Sequence, residues 1–269
     1  MTHDEGARLR GALDAIAAPI AVAVSGGIDS VTLATVAHRH APERVTMFHA
    51  VSPAVPGDAT ARVERLAAEH GWTLRVIDAG EFEDDDYRAN PVNRCFFCKT
   101  NLYGSIGRHT AAQILSGANL NDLGEYRPGL DAARNNGVRH PYLEAGIDKA
   151  GVRRLARAEG LGELSELPAA PCLSSRVETG IAIRADVLKA IHAVERNLAQ
   201  RYPRGTVRCR VRASGVVIEL DPTTLDAVTA GSQDSLHAQV TELFAGKVAS
   251  ADLRLEPYRN GSAFLHGQH

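Results

Sequence analysis

The sequence predicts an α/β fold, a doubly wound parallel sheet, with a smaller C-terminal α+β domain. Three observations carry this. The apolar run Ala21-Val22-Ala23-Val24 ends abruptly in Ser25-Gly26-Gly27-Ile28-Asp29-Ser30, and helix-compatible residues follow through His38. Strand-like runs then alternate with helical patterns, which argues for parallel strands joined by crossover helices. After Gly180 the pattern changes to a helix, an alternating hairpin, a further helix and a closing strand. The expected domains are residues 1–180 and 181–269.

In chain order, residues from about 6 to 17 have the spacing of a short amphipathic helix. Ala21–Val24 is a buried strand that delivers the Ser25–Ser30 turn to the start of a helix. There, backbone amides and the helix dipole both favour an anion. Gly26 and Gly27 let a phosphate approach the amides, Ser25 and Ser30 add hydroxyls, and Asp29 can orient the loop or hold magnesium. The turn is neither the loop ending in Gly-Lys-Ser/Thr nor the three-glycine dinucleotide fingerprint. Arg44–Val51 reads as a second strand, a helix with Val63, Leu66 and Ala67 on one face follows, and Thr73–Asp78 reads as a third strand. Ligands of such sheets bind beyond the carboxyl ends of the strands, which brings His49 and Ser52 to the same crevice as the turn.

Glu81 to Asp86 is an acidic run of the kind found in solvated loops. Asn90-Pro91-Val92-Asn93-Arg94-Cys95-Phe96-Phe97-Cys98-Lys99 opens a helix that continues through Leu102 and Ile106. Cys95 and Cys98 share its first turns, where the dipole favours thiolates, although two small residues packed there are an equal expectation. Gln113–Leu120 reads as a strand ending at Gly117, Asn119, Asn121 and Asp122, beside the phosphate turn. Arg127-Pro128-Gly129 is a loop with an arginine facing either substrate or solvent. Asp148–Ala158 is a helix with Val152, Leu155 and Ala156 on its inner face. Leu167–Gly180, with Pro168, Pro171 and the core Cys172-Leu173-Ser174-Ser175-Arg176, is expected to be a fixed non-regular segment. Cys172 with Arg176 four residues on reads as a thiolate beside a cation, or as a small buried residue in a structural loop.

Residues 184–200 form the next helix, with Val187, Leu188, Ile191 and Val194 inward and Glu195 near the same face. Thr206–Arg212 alternates, turns at Ala213-Ser214-Gly215 and returns as Val216–Leu220. Arg208, Arg210 and Arg212 share one face, suited to a phosphate or carboxylates, or else simply solvated; Cys209 points the other way, into the core. A helix and a strand at Ala251–Leu255 close the chain.

Composition bounds the function. The 269 residues carry a net charge of −2, from 30 basic and 32 acidic residues, which gives no general attraction to nucleic acid. No apolar run approaches a membrane span, and Met1–Glu5 lacks the character of a signal peptide, so a cytoplasmic protein is expected. Four cysteines in such a chain are not a disulfide framework.

Ser25–Ser30 resembles the pyrophosphatase loop of the PP-loop ATP pyrophosphatases, with their adenine nucleotide alpha hydrolase-like fold. Together with Asn-Arg-Cys-Phe-Phe-Cys-Lys, Gly-Ala-Asn-Leu-Asn-Asp, Arg-Pro-Gly, Pro-Cys-Leu-Ser-Ser-Arg and Arg-Val-Arg, the chain is similar to the ATP-dependent sacrificial sulfur transferases (LarE) that make the nickel-pincer nucleotide cofactor. The resemblance implies ATP and magnesium, and adenylation of a carboxylate of pyridinium-3,5-biscarboxylic acid mononucleotide. Cys172 is then the sulfur donor and ends as dehydroalanine. It places Glu195, Arg210 and Arg212 in the substrate or metal region, and implies a homo-oligomer. A second route would carry sulfur on a [4Fe-4S] cluster held by Cys95, Cys98 and Cys172. Two departures are visible: Gly117–Asp122 replaces the commoner Gly-Thr-Asn-x-Asp-Asp, and no aromatic precedes Gly180. A tRNA-thiolating enzyme of the same superfamily and a non-catalytic nucleotide-binding module are the alternatives.

Overall fold

The structure is a computed structural model that describes residues 2–124, 126–166, 171–231, 233–250 and 252–264. In chain order its elements are α1 (Thr2–Asp14), β1 (Ile20–Ala23), α2 (Ile28–His40), β2 (Val45–Val51), α3 (Gly57–His70), β3 (Leu74–Asp78), α4 (Asp85–Arg88), α5 (Arg94–His109), β4 (Gln113–Leu115), α6 (Pro128–Asn135), α7 (Pro141–Glu144), α8 (Lys149–Ala158), α9 (Gly162–Ser165), α10 (Ala185–Arg201), β5 (Val207–Arg212), β6 (Gly215–Leu220), α11 (Pro222–Ala230), α12 (Gln233–Phe244) and β7 (Leu253–Pro257). They form two compact units: Met1–Glu81 with Cys95–Ala170, and Phe82–Arg94 with Pro171–His269. No described helix is long and apolar enough to cross a membrane.

In the first unit four parallel strands lie in the order β3-β2-β1-β4. The chain moves outward from β1 to β3 and then returns to the other side of β1. The two halves of that path must cover opposite faces of the sheet. Val22, Met47 and Leu115 pack with α1, α2, α3 and α8 on one face, while Ala21, Phe48 and Ile114 pack with Tyr103 and Ile106 of α5 and Ala133 of α6 on the other. Val63, Leu66 and Ala67 are the buried positions of α3, so the helical spacing selected its inner face. The reversal of strand order between β1 and β4 leaves a crevice at their carboxyl ends.

The second unit has the sheet β5-β6-β7, with an antiparallel hairpin and a parallel third strand. Six apolar residues of α10, including Val187, Leu188, Ile191 and Val194, are buried as it packs on β5, and α12 packs on α10. The segment 82–94 joins this unit by side-chain ties. Asn90 is fully buried in left-handed backbone at φ 55° and donates from Nδ2 to the carbonyls of Glu178 and Ile181, each at 2.9 Å, and of Val177 at 3.4 Å. Tyr87 Oη meets Ser174 Oγ at 2.6 Å.

Several expectations are corrected. The first helix spans Thr2–Asp14. The acidic run is not a solvated loop: Glu81 is buried in a 3-10 turn, Asp84 accepts from the amides of Asp86 and Tyr87 to start α4, and Tyr87 anchors that helix inside. Charge density alone does not register that one acid caps a helix and another is buried. β4 stops at Leu115 because the chain then turns to pass against the phosphate loop at Gly117. Within the segment expected to be non-regular, Leu173–Arg176 is a 3-10 turn, and residues 167–170 lie outside the described residues. Two helices, α11 and α12, precede the last strand, which begins at Leu253; Ala251 is not described.

Asn90 combines a rare backbone conformation with three carbonyl partners. Asn90→Ala is expected to cost on the order of 2–4 kcal/mol in urea unfolding, and Asn90→Gly less, because glycine keeps the backbone geometry while losing the bonds.

Candidate active site

The phosphate turn is built by the close approach of three chain segments. Gly26 has φ 81°, and a Cβ there would lie 2.8 Å from the carbonyl oxygen of Ala59 at the start of α3, so only glycine fits. Gly117 faces the turn from the end of β4, where a Cβ would stand 2.9 Å from the carbonyl carbon of Asp29. Gly27 is the N-cap of α2, whose first amides have no carbonyl partner within the helix. Ser30 closes the turn: its Oγ accepts from the Ser25 amide at 3.0 Å, donates to the Gly27 carbonyl at 3.1 Å and lies 3.2 Å from Ser25 Oγ. Arg62 donates to the Gly26 carbonyl at 2.9 Å.

Asp29 is held on every side. Its Oδ2 pairs with Lys149 Nζ at 2.5 Å, its Oδ1 accepts from Asn119 Nδ2 at 3.2 Å, and its carbonyl accepts from Tyr142 Oη at 3.0 Å. Burial, and then the Asp29 charge, push the Tyr142 hydroxyl well above its ordinary range, so it stays protonated and donates. Asn119 is itself fixed, its amide donating to Asp122 Oδ2 at 2.9 Å and its Oδ1 accepting from Asn121. Asp122 also pairs with Arg127 at 3.0 Å; Arg127 is half-exposed. Asp29, Gly117, Asn119 and Asp122 thus adjoin the turn. As a magnesium ligand Asp29 fits the usual arrangement of one carboxylate beside substrate phosphates, but only if the ion shares or displaces the lysine. Among the described residues no three His, Cys, Asp or Glu side chains are grouped to hold a metal ion.

His49 and Ser52 stand at the end of β2. His49 is buried, with Nδ1 2.8 Å from the Val24 carbonyl and Nε2 2.9 Å from Thr60 Oγ1, so both ring nitrogens bind the protein. Ser52 Oγ accepts from the Ala54 amide at 3.2 Å and bonds the buried Glu81. Burial holds the Glu81 carboxyl above its ordinary range; Ser52 and the Lys99 cation oppose this, and the charge of Asp78 adds to it. Cys95 and Cys98 open α5 half-buried, and Gly129 of α6 lets Lys99 of that helix come close.

In the second unit, Cys172 precedes the turn Leu173–Arg176. Its carbonyl accepts from the Ser175 amide at 3.0 Å, Ser175 Oγ at 2.8 Å and Arg176 Nη1 at 3.1 Å. Cys172 is half-buried, and its thiol takes no part in these bonds. The buried Arg176 does stand at Cys172, through its Nη1 at the carbonyl, and it also forms a two-pronged pair with Glu195 at 3.0 and 3.1 Å. Glu195 also accepts from the Cys209 amide at 3.0 Å. Cys209 is fully buried, and burial raises its thiol well above the ordinary range, as suits a core residue.

The arginine face of β5 is neither solvated nor open along its length. Arg210 is buried against Glu219 at 3.0 Å and donates to the Ser175 carbonyl at 3.0 Å. Arg212 pairs with Glu219 at 2.6 Å and Glu256 at 3.0 Å, leaving its buried Nε without a hydrogen-bond partner. Arg208 is held over Tyr258. Arg212 lines a pocket of about 310 Å³ with Glu178, Arg259, Asn260 and Ser262.

Lys149, Tyr142 and Arg62 were missed by sequence reasoning. A signal existed for Lys149: a lysine in the first turn of a helix opposes the dipole and calls for a nearby anion. Tyr142 and Arg62 had none, because long-range packing alone brings them to the turn.

The profile of the asparagine synthase family matches residues 13–92. An uncharacterised protein of Synechocystis sp. is 31% identical over 89% of this chain and 90% of its own length. The pyridinium-3,5-bisthiocarboxylic acid mononucleotide synthase of Lactiplantibacillus plantarum is 30% identical over 75% of this chain and 74% of its own. An uncharacterised protein of Methanocaldococcus jannaschii is 26% identical over 75% and 77%.

Two outcomes follow from the geometry. Lys149→Met is expected to lower kcat/KM for ATP about 10²-fold in a pyrophosphate-release assay, while an ion pair this exposed changes stability by less than about 1 kcal/mol. Glu81 keeps its proton to higher pH in the folded chain than in the unfolded one, so its stabilising share is lost as pH rises through the folded value. Glu81→Gln should therefore raise Tm over the native chain more at about pH 8 than at about pH 4.

Proposed function

The chain belongs to the family of PP-loop ATP pyrophosphatases that includes pyridinium-3,5-bisthiocarboxylic acid mononucleotide synthase, and on that premise we propose that it is a sulfur transferase acting on pyridinium-3,5-biscarboxylic acid mononucleotide. ATP is the activating substrate. The Gly27-capped start of α2, with Ser25, Gly26 and Ser30, receives its phosphates, and Lys149 stands beside them through Asp29. Gly117, Asn119, Asp122, His49 and Ser52 line or brace the nucleotide crevice, and Arg127 offers a cation at its edge. Magnesium, when bound with ATP, neutralises phosphate charge, and Asp29 is the residue that would hold it.

A carboxylate oxygen of the acceptor attacks the α-phosphorus, and the bond to pyrophosphate breaks. The Cys172 thiolate then attacks the acyl carbon, and AMP leaves with the electron pair of its bond. A base removes the Cα proton of Cys172, and the Cβ–S bond breaks toward sulfur. The product is a thiocarboxylate, and residue 172 becomes dehydroalanine. The pocket at Arg212 and Arg259 is a receptor for the mononucleotide phosphate, and the ion pairs of Arg176, Glu195 and Arg210 keep that region in shape. We assign nucleotide activation to residues 1–180, and substrate binding or assembly into a homo-oligomer to residues 181–269.

The observation that supports Cys172 as donor is its setting: its backbone is tied by three hydrogen bonds at the carbonyl, and the half-buried cysteine is not in a disulfide. A cysteine fixed at its backbone and partly open to solvent suits a nucleophile, which supports this reading. We take Cys172 itself as the source of sulfur, and delivery from a [4Fe-4S] cluster held by Cys95, Cys98 and Cys172 is the alternative.

Pyrophosphate release with the dicarboxylate mononucleotide tests the reading. Cys172→Ala should still release pyrophosphate but form no thiocarboxylate, and the native chain after turnover should be lighter by one molecule of hydrogen sulfide in mass spectrometry. Thiocarboxylate formation with an intact Cys172 would rule out the sacrificial step, and native inactivity with this acceptor would rule out the substrate.

A further inference from the structure

The Ser25–Ser30 turn contains two adjacent glycines, and side-chain sterics leave the orientation of the peptide between them free. Gly27 stands at φ −81°. Turning the Gly26–Gly27 peptide over would carry Gly27 to positive φ, which glycine accepts as readily. The choice of orientation therefore falls to hydrogen bonds. Elsewhere in the turn these are internal: the Ser25 amide binds Ser30 Oγ, and the Gly27 carbonyl accepts from Ser30 Oγ and, at 3.0 Å, from the Val31 amide. The Gly26 carbonyl accepts, among the described residues, from Arg62 alone, at 2.9 Å.

Arg62 is carried to that carbonyl by the packing of α3 on the turn. Ala59, three residues earlier on the same face of the helix, holds its carbonyl oxygen where a Cβ on Gly26 would come within 2.8 Å. Arg62 is half-exposed and has no carboxylate at ion-pair distance among the described residues, whereas Lys149, another cation at the turn, is matched by Asp29. Its hydrogen bond is thus made to the loop itself.

We infer that Arg62 is a positioning residue that sets the direction of the Gly27 amide. In a trans peptide the N–H and C=O point in opposite directions, so a guanidinium holding the Gly26 carbonyl turns the Gly27 N–H away from itself. That amide, at the N-cap of α2, has no acceptor among the described residues and joins the free amides of the first helical turn as a donor to phosphate. With the peptide turned over, a carbonyl oxygen would face the phosphates, and one donor would be exchanged for one repelling dipole. Arg62 acts on the ligand through this peptide, not by touching it. The inference rests on the proposal above that the turn receives the phosphates of ATP.

The test uses the full chain with ATP, inorganic pyrophosphate and adenosine as probes. Each is titrated by calorimetry on the native chain and on Arg62→Met, and both proteins are checked for a melting transition. Arg62→Met should weaken ATP and pyrophosphate about tenfold and leave adenosine within about twofold, because one charge-assisted hydrogen bond to the phosphate loop is lost. Unchanged ATP binding, equal weakening of all three probes, or loss of the melting transition overturns the inference. A Gly27→Ala background separates positioning from contact. A Cβ there meets only Ser25 Oγ, at 3.6 Å, and by its own sterics disfavours the turned-over peptide. Arg62→Met should then cost less than about threefold relative to Gly27→Ala alone; the same tenfold loss in both backgrounds marks direct ligation by the guanidinium and overturns the positioning role. If Gly27→Ala binds too weakly to titrate, ionic strength decides. For a peptide held by a hydrogen bond, the ratio of native to Arg62→Met affinity for pyrophosphate stays within about twofold between about 0.05 and 0.5 M salt, and a fall of more than about threefold marks a direct ion contact and overturns the inference. A native chain that binds neither ATP nor pyrophosphate refutes the phosphate site itself, whereas ATP binding indifferent to Arg62 refutes this inference alone.

Discussion

The Asp29 carboxylate is the joint on which the first unit's site depends. It sits one residue into α2, where the helix dipole and free amides already favour negative charge, and it meets a lysine from the start of α8 and an asparagine from the loop after β4. Three segments far apart in sequence are thus fastened at one group. The contact needs the chain after β4 to pass almost against the Asp29 backbone, which Gly117 allows. Lysine at a helix start and carboxylate at a helix start are each half of an arrangement. Together they place a cation beside the phosphate turn without leaving it unmatched in the absence of ligand.

The second unit solves a different problem. Five arginines, at 176, 208, 210, 212 and 259, gather around the hairpin and the Cys172 turn, and Glu195, Glu219 and Glu256 are threaded among them. Buried pairs of this kind contribute little net stability, because desolvation offsets most of the attraction. Their effect is positional. Arg176 and Arg210 deliver donors to the carbonyls of Pro171, Cys172 and Ser175, so the turn that carries the cysteine is held by charge-assisted bonds rather than by packing alone.

Much of the fold was legible because it rests on local periodicity. Ala21–Val24 followed by small residues gave the strand and the turn, and Val63, Leu66 and Ala67 gave the inner face of α3. The hairpin was visible in the alternation through Arg208, Cys209 and Arg210 and in the turn at Gly215. Where the reading failed, residue type was used without its partner. Arg176 was read with the cysteine four residues away and without Glu195 of the next helix, its ion-pair partner. The acids from Glu81 to Asp86 were counted as one charged run, although one of them caps a helix and another is buried.

The sequence by itself determined the glycine-containing strand-to-helix turn, the alternation that makes the first sheet parallel, and the change of pattern after Gly180. These follow from backbone sterics and hydrophobic spacing, which act over a few residues. Only the tertiary structure decided that Lys149 serves Asp29, that Arg176 serves the backbone of Cys172 and that Arg210 is matched by Glu219. The reason is that a side chain's electrostatic role is set by which charges folding brings within a few ångströms of it, and those charges come from positions that sequence spacing does not connect.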